Sequence, residues 1–294
     1  MRVRAPLPAR QVLTRRRSGT VAAASAHRIR IGPQVNAAWS RRLMPRSLFS
    51  RPLARRSRIA VGAATDIGYV RRNNEDAYGV FTGGARDGER LFVVADGMGG
   101  FERGADASAL AVDTIRRIFF EHEGAAESRF TTAFVGANRA IYDRATSKNV
   151  RMGTTCTALA CGGGFVVAHV GDSRAYRVTA HAIDRLTEDH TLAESLRTQG
   201  VLTRSEAEMH PGGSALTRAL GVGPEVEPTL VRLDDPAETT WYVLCTDGLK
   251  TVDLERVGAL VRKLEPQLAA EALVGEANQA GGSDNTTVIV VRVG

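Results

Sequence analysis

From Arg58 onward the chain is built of short apolar runs separated by turn-forming residues. Segments 58–68 (RIAVGAATDIG), 91–96 (LFVVAD), 154–160 (TTCTALA), 165–172 (FVVAHVGD), 241–247 (WYVLCTD) and 286–293 (TTVIVVRV) are rich in Val, Thr and aromatic residues, the signature of strands. Between them the period changes. Ala111, Val112, Ile115, Ile118 and Phe119 recur at three- and four-residue spacing, as do Phe130, Ala133, Phe134, Ala137 and Ile141, so each set occupies one face of a helix. Pro266 opens a further helix carrying Leu268, Ala269, Ala272 and Leu273, and Gly281-Gly282 ends it. FVVAHVGDSRAYRV reads as a hairpin, two strands turning around Gly-Asp-Ser-Arg. Adjacent strands alternating with pairs of helices point to antiparallel sheets with helices packed outside, and away from a doubly wound parallel sheet. Residues 187–221 are polar, with short helices and an HPGG break at 210–213, and read as an inserted surface subdomain. Residues 58–294 then form one domain.

Composition adds one division. The net charge of +7 sums two unlike parts, because residues 1–58 hold fifteen arginines and no Asp, Glu or Lys. The remainder is therefore acidic, at −8 once those fifteen charges are removed from the total. The leader 1–57 has no helical or strand period and no apolar h-region, which excludes a secretory signal. Three readings stand for it: a disordered extension, with Met44 as an alternative start; a transit-like peptide; or an arm for nucleic acid or another anionic surface. The acidic body speaks against nucleic acid as the main partner. No stretch approaches the ~20 consecutive apolar residues of a membrane span. Cys156, Cys161 and Cys245 sit in apolar runs without a CxxC, as expected of buried thiols in a reducing compartment.

The candidate chemistry lies in acidic residues at strand ends: NNEDA (73–77), VADG (94–97), CTDG (245–248) and GGSDN (281–285). Singly, each reads equally well as a turn, since Asp-Gly is a turn dipeptide. Together they place Asp96 and Asp247 at the rim of buried sheets, where an uncompensated charge is costly. No lysine or histidine stands near them at a spacing suited to compensate. A hard divalent cation would, since Mg²⁺ or Mn²⁺ accepts carboxylates, backbone carbonyls and water. Gly97, lacking a Cβ, lets its carbonyl approach such an ion. Arg71, five residues before Asp76, is suited to bidentate capture of phosphate.

RRNNEDA, VVADGMGG, MGTTCTAL, HVGDSRAYR, LTEDHTLAE, LTRALG, LCTDGL and GGSDNTTVIVV occur in the order found in the metal-dependent protein phosphatase 2C family, bacterial type, which residues 59–293 resemble. The resemblance implies an α+β fold, a four-layer α-β-β-α sandwich of two central antiparallel sheets flanked by helix pairs. It implies two Mn²⁺ or Mg²⁺ ions, with Asp96 bridging them, Gly97 binding one through its carbonyl, and Asp247 and Asp284 holding the other. Glu75 and Asp76 would support the site, Arg71 would grip the substrate phosphate, and Asn285 would order the Asp284 loop. A water between the ions would attack phosphorus in line, so no cysteine has a catalytic duty. The implied activity is hydrolysis of phosphoserine and phosphothreonine in proteins, reversing a Ser/Thr kinase, by a cytoplasmic monomer. The alternative is a catalytically silent phosphoprotein-binding module on the same fold.

Two positions depart from the best-known pattern. Met98 stands where many eukaryotic members have a histidine proposed as general acid, and a thioether has no proton to give. Asp172 corresponds to the ligand of a third, weaker ion, but Thr251 stands where its companion aspartate is common, with Asp253 two residues on. Residues 187–221 correspond to the family's flap, where Arg197, Arg204 and Arg218 are candidates to meet substrate. His169 reads as a sheet residue. His190 reads as a helix-start residue beside capping groups Thr187 and Asp189, and His210 as a loop residue.

Overall fold

The computed structural model describes residues 58–83, 88–99 and 103–294. The readings of segment 1–57 and of Gly100 lie outside the described residues. Eleven strands and six α-helices follow one another along these residues: β1 (Ile59–Asp66), β2 (Asp76–Thr82), β3 (Arg90–Met98), α1 (Arg103–Glu121), α2 (Ala126–Ser147), β4 (Gly153–Thr154), β5 (Cys156–Cys161), β6 (Phe165–Val170), β7 (Arg174–Val178), β8 (Ile183–Arg185), α3 (Leu192–Thr198), α4 (Arg204–Glu208), β9 (Thr229–Leu233), β10 (Thr240–Cys245), α5 (Leu254–Lys263), α6 (Pro266–Gln279) and β11 (Thr286–Val293). A one-turn 3₁₀ helix, Asp247–Thr251, follows β10.

The strands form two antiparallel sheets. One has the order β1-β11-β10-β7-β8, the other β2-β3-β5-β6-β9 with β4 paired to β3. Three apolar layers hold them. Phe92, Val94, Leu159, Val167, Tyr242, Leu244 and Ile289 pack between the sheets. Ala111, Ile115, Phe119, Phe130, Phe134 and Ile141 from α1 and α2 cover the outer face of the second sheet. Val257, Val261, Ala269 and Leu273 from α5 and α6 cover that of the first. The predicted faces of α1 and α2 are thus the ones turned inward, whereas in α6 Ala269 and Leu273 are buried and Leu268 is exposed. An antiparallel sheet usually alternates apolar and polar residues, but here both faces of each sheet are covered. That is why β5 and β6 are buried at every position and read as unbroken apolar runs.

The predicted hairpin over 165–178 is corrected by the structure. β6 pairs β5 and β9, whereas β7 pairs β10 and β8, in the other sheet. With both edges of each strand already satisfied, Gly171, Asp172 and Ser173 carry the chain from one sheet to the other. Gly171 makes the crossing at φ +109, and a Cβ there would come within 2.6 Å of Thr155 Cβ. Three strands carry no clear signal in the sequence: β2, the three-residue β8 and β9. β2 begins at Asp76, buries only Gly79 fully and leaves Tyr78 and Thr82 exposed, and β9 has no fully buried residue, so neither stands out as an apolar run.

A buried ion pair ties the second sheet to its helices. The Arg129 guanidinium binds both carboxylate oxygens of Glu89, at 2.5 and 2.9 Å, donates from Nε to Phe119 O, and lies over the Phe119 ring. Both side chains are almost wholly buried.

Candidate active site

The site is assembled from chain ends on both sheets. In the β2–β3 ladder Asp76 stands opposite Asp96. The backbone of Asp96 is fixed on its other side. Its N–H donates to Thr155 Oγ1 at 3.0 Å, and its carbonyl accepts from Thr154 Oγ1 and Thr155 N–H. Gly97 follows, donating its N–H to Glu75 O at 3.1 Å. A Cβ at Gly97 would lie 2.0 Å from Gly104 O, so the glycine lets the first turn of α1 dock on the end of β3. This close approach is a second reason for Gly97 that the sequence did not disclose. Met98 lines a groove of about 780 Å³ together with Tyr142, Met152 and Val222.

The first sheet supplies hydroxyls and two more aspartates. Thr246 Oγ1 and Thr287 Oγ1 both donate to Asp76 Oδ2, at 2.8 and 2.7 Å. Since Thr287 spends its proton on Asp76, Thr65 donates to Thr287 and Asn74 Nδ2 to Thr65 in turn, an ordered chain ending on the carboxylate. Asn285 ties three segments together: its Oδ1 accepts from Glu75 N–H, and its Nδ2 donates to Ile67 O and Asn73 O. Asp284 Oδ1 accepts from Asn285 N–H, and its Oδ2 accepts from Arg71 Nη2 at 2.7 Å. The Arg71 side chain is half exposed, so its guanidinium borders solvent while holding Asp284. Sequence reasoning missed the threonines, although Thr154-Thr155 and Thr286-Thr287 flank site motifs and were visible as polar residues inside apolar strands.

These carboxylates are expensive in one another's company. Burial pushes the Asp76 carboxyl up to about 7 despite the two threonine hydroxyls, with Asp247 and Asp284 adding to the rise. Burial also carries Asp96 well above the usual carboxylate range, reinforced by repulsion from Asp76, Asp247, Asp172 and Asp284. Asp247 is raised by burial and by Asp172, and Glu75 by burial. Asp76 Oδ1 and Asp247 Oδ1 are buried without a hydrogen-bond partner. Orphaned, mutually repelling carboxylate oxygens fit a hard divalent cation, which would satisfy both the lone pairs and the charge. Among the described residues no group of three or more His, Cys, Asp or Glu side chains stands in a metal-holding arrangement. The carboxylates of Asp76, Asp96, Asp247 and Asp284 are close enough to repel one another.

Asp172, delivered by the sheet crossing, has another partner. Lys250 Nζ lies 2.7 Å from its Oδ2 and 3.7 Å from Asp189 Oδ2, while Arg174 and Arg185 hold Asp189. The expectation that no lysine stands near the aspartates is therefore corrected: Lys250 is three residues beyond Asp247, on the same 3₁₀ turn. Arg197 and Arg204 line a groove of about 570 Å³ with Lys250, between the segment 187–221 and α5, whereas Arg218 lies elsewhere and donates to Glu227 O. Arg197 is bound by Glu194. His190 does not start a helix, since Thr191 caps α3. Instead it is buried against His169, ring centroids 4.7 Å apart, and accepts from Gly171 N–H, pinning the crossing.

A four-layer sandwich of antiparallel sheets and helices, gathering buried carboxylates and one solvent-facing arginine at one end, has the architecture of metal-dependent phosphatases. The chain belongs to the protein phosphatase 2C family, whose family model matches residues 70–279. It is 35% identical over 241 residues to the serine/threonine phosphatase stp of Listeria monocytogenes, covering 78% of this chain and 93% of that one. Among solved structures it resembles the serine/threonine phosphatase PstP/Ppp of Mycobacterium tuberculosis, with TM-score 0.71 and 35% identity over 79% of this chain and 97% of that one. A catalytic domain of PstP in complex with two manganese ions matches with TM-score 0.68 and 33% identity, over 80% of this chain and 98% of that one. By family and by these relatives the chain is an enzyme of the phosphatase class.

Proposed function

We propose that this chain hydrolyses phosphoserine and phosphothreonine in proteins with the help of two Mn²⁺ or Mg²⁺ ions, and so reverses a Ser/Thr kinase. In this reading it works as a cytoplasmic monomer, with residues 58–294 as the catalytic domain and 187–221 as a flap beside the site. The observation that carries the proposal is the set of buried, partnerless carboxylate oxygens of Asp76 and Asp247 around Asp96, next to the half-exposed Arg71. Among the described residues no helix is long and apolar enough to cross a membrane.

Asp96, the Gly97 carbonyl, Asp247 and Asp284 would hold the ions, with Glu75 and Asp76 behind them. The ions would supply positive charge against the developing phosphoryl negative charge and the acidity that makes water a nucleophile near neutral pH. The chain's own residues do the rest. The threonine chain ending on Asp76 keeps that carboxylate oriented and acceptor-ready, and Asn285 holds Glu75 and the Asp284 loop in register. Arg71 exchanges its bond to Asp284 for two bonds to an incoming phosphate, a stronger, bidentate partnership, and this orients the phosphoryl group. Met98 gives no proton to the leaving alcohol. The presence of Asp96, Asp247, Asp284 and Arg71 together favours this reading over a silent binding module. Hydrolysis of p-nitrophenyl phosphate and of a phosphothreonine peptide, with Mn²⁺ and then with excess EDTA, tests it. Turnover is expected with metal and lost with chelator, and metal-independent turnover would overturn it.

A further inference from the structure

The Asp172 neighbourhood departs from a metal site in a consistent way. Its Oδ2 already receives an ammonium at 2.7 Å, and the pair is largely shielded from solvent. With the ammonium in place, the groups that could join Asp172 and Asp247 around a cation keep other partners. Thr251 donates its hydroxyl to Gly248 O within the 3₁₀ turn. The Asp253 carboxylate caps α5, accepting from Glu255 N–H at 2.8 Å and Arg256 N–H at 3.2 Å. Asp189 is occupied by Arg174 and Arg185. In a 3₁₀ helix residues i and i+3 eclipse, so the turn that presents Asp247 presents Lys250 beside it. A dication placed against Asp172 would meet that ammonium at close range and be repelled.

We propose that the Lys250 ammonium serves as a built-in cation in the place beside Asp172 where a third metal ion would otherwise sit, so that this chain's site is complete with two ions. Lys250 is then a positioning residue. It holds Asp172 and offsets its negative charge next to Asp247 without depending on the metal supply. The inference rests on the two-ion phosphatase reading above, and ion counting separates the two.

The test is equilibrium dialysis of the full chain against millimolar Mn²⁺, with bound manganese per chain measured by atomic emission and folding checked by circular dichroism. The parent is expected to hold two ions, Lys250→Met three, and Lys250→Arg two, because arginine restores the cation. Asp172→Asn is expected to leave the count at two, a readout that stands even where Lys250→Met does not fold. Three ions in the parent, falling to two in Asp172→Asn, would overturn the assignment while leaving the phosphatase reading intact. A folded Lys250→Met that holds only two ions would do the same. A parent that binds no manganese would overturn the phosphatase reading, and this inference with it.

Discussion

Asp76 and Asp96 face one another across the β2–β3 ladder, two partly buried carboxylates directly opposite at the end of a sheet. Like charges so placed destabilise a sheet, and here each also lies near Asp247 and Asp284. The fold alone would not choose such a pair.

Asp96→Asn should therefore separate activity from stability. Turnover is expected to fall by at least ~10²–10³-fold, the scale for losing one preorganised electrostatic group at a reacting centre. The metal-free variant should melt higher than the metal-free parent, by about 2–4 °C for each ~1 kcal/mol of repulsion relieved in a domain of this size. Added Mn²⁺ should raise the parent's melting temperature and leave the variant's nearly unchanged. Steady-state kinetics and differential scanning calorimetry check both halves.

Gly97→Ala should damage both fold and site. The new methyl would sit 2.0 Å from Gly104 O, backbone against backbone, so β3 or the first turn of α1 must shift. A cost of about 1–3 kcal/mol is expected for such overpacking. Because the shift falls next to Asp96, Mn²⁺ affinity should weaken as well. Urea denaturation and manganese titration read the two effects.

Arg129→Met should be severely destabilising without touching the site. It strands Glu89 as a buried, unpaired charge, a loss of about 3–5 kcal/mol. The double variant Arg129→Met, Glu89→Met should recover much of that loss, since it removes both charges. The denaturation midpoints of the three proteins decide it. A double variant no more stable than the single one would refute the account.

Acidification should unfold the protein partly through His169 and His190. Burial lowers His169 to about 3 and His190 to about 4, with the neighbouring imidazole adding to the fall at His169 and Arg218 at His190. The unfolded chain takes up these protons near pH 6.5 and the folded chain does not. Their stabilising contribution is thus fully present above about 6.5 and lost progressively as pH falls towards 4. Asp76 acts in the opposite sense in the metal-free protein, its contribution being lost as pH rises through about 7. Comparing the parent with His190→Gln isolates the imidazole, and the variant should lose less stability between pH 7 and pH 5.

Much of the molecule was legible in advance because its signals are local. The helical faces of Ala111 to Phe119 and Phe130 to Ile141, and the strands around Val93, Val243 and Val290, follow from periodicity and β-branching. The carboxylates Asp96 and Asp247 stand out because each follows an apolar run, and Asp284 because it follows Gly281-Gly282 just before the last strand. What the residues of FVVAHVGDSRAYRV could not disclose is that its two strands enter different sheets. Strand pairing is decided by which edges remain free once distant segments have docked. The same holds for Lys250, whose spacing to Asp247 was plain in the text but whose partner, Asp172, lies 78 residues away in sequence. It holds equally for Gly97, whose missing side chain makes room for Gly104, and for Thr246 and Thr287, whose hydroxyls converge on Asp76 only when the two sheets close. The sequence by itself determined which residues are apolar, which turn, and which are charged where charge is costly. Only the tertiary structure decided which of those charges meet, because long-range contacts depend on how the layers stack, and no local pattern records that.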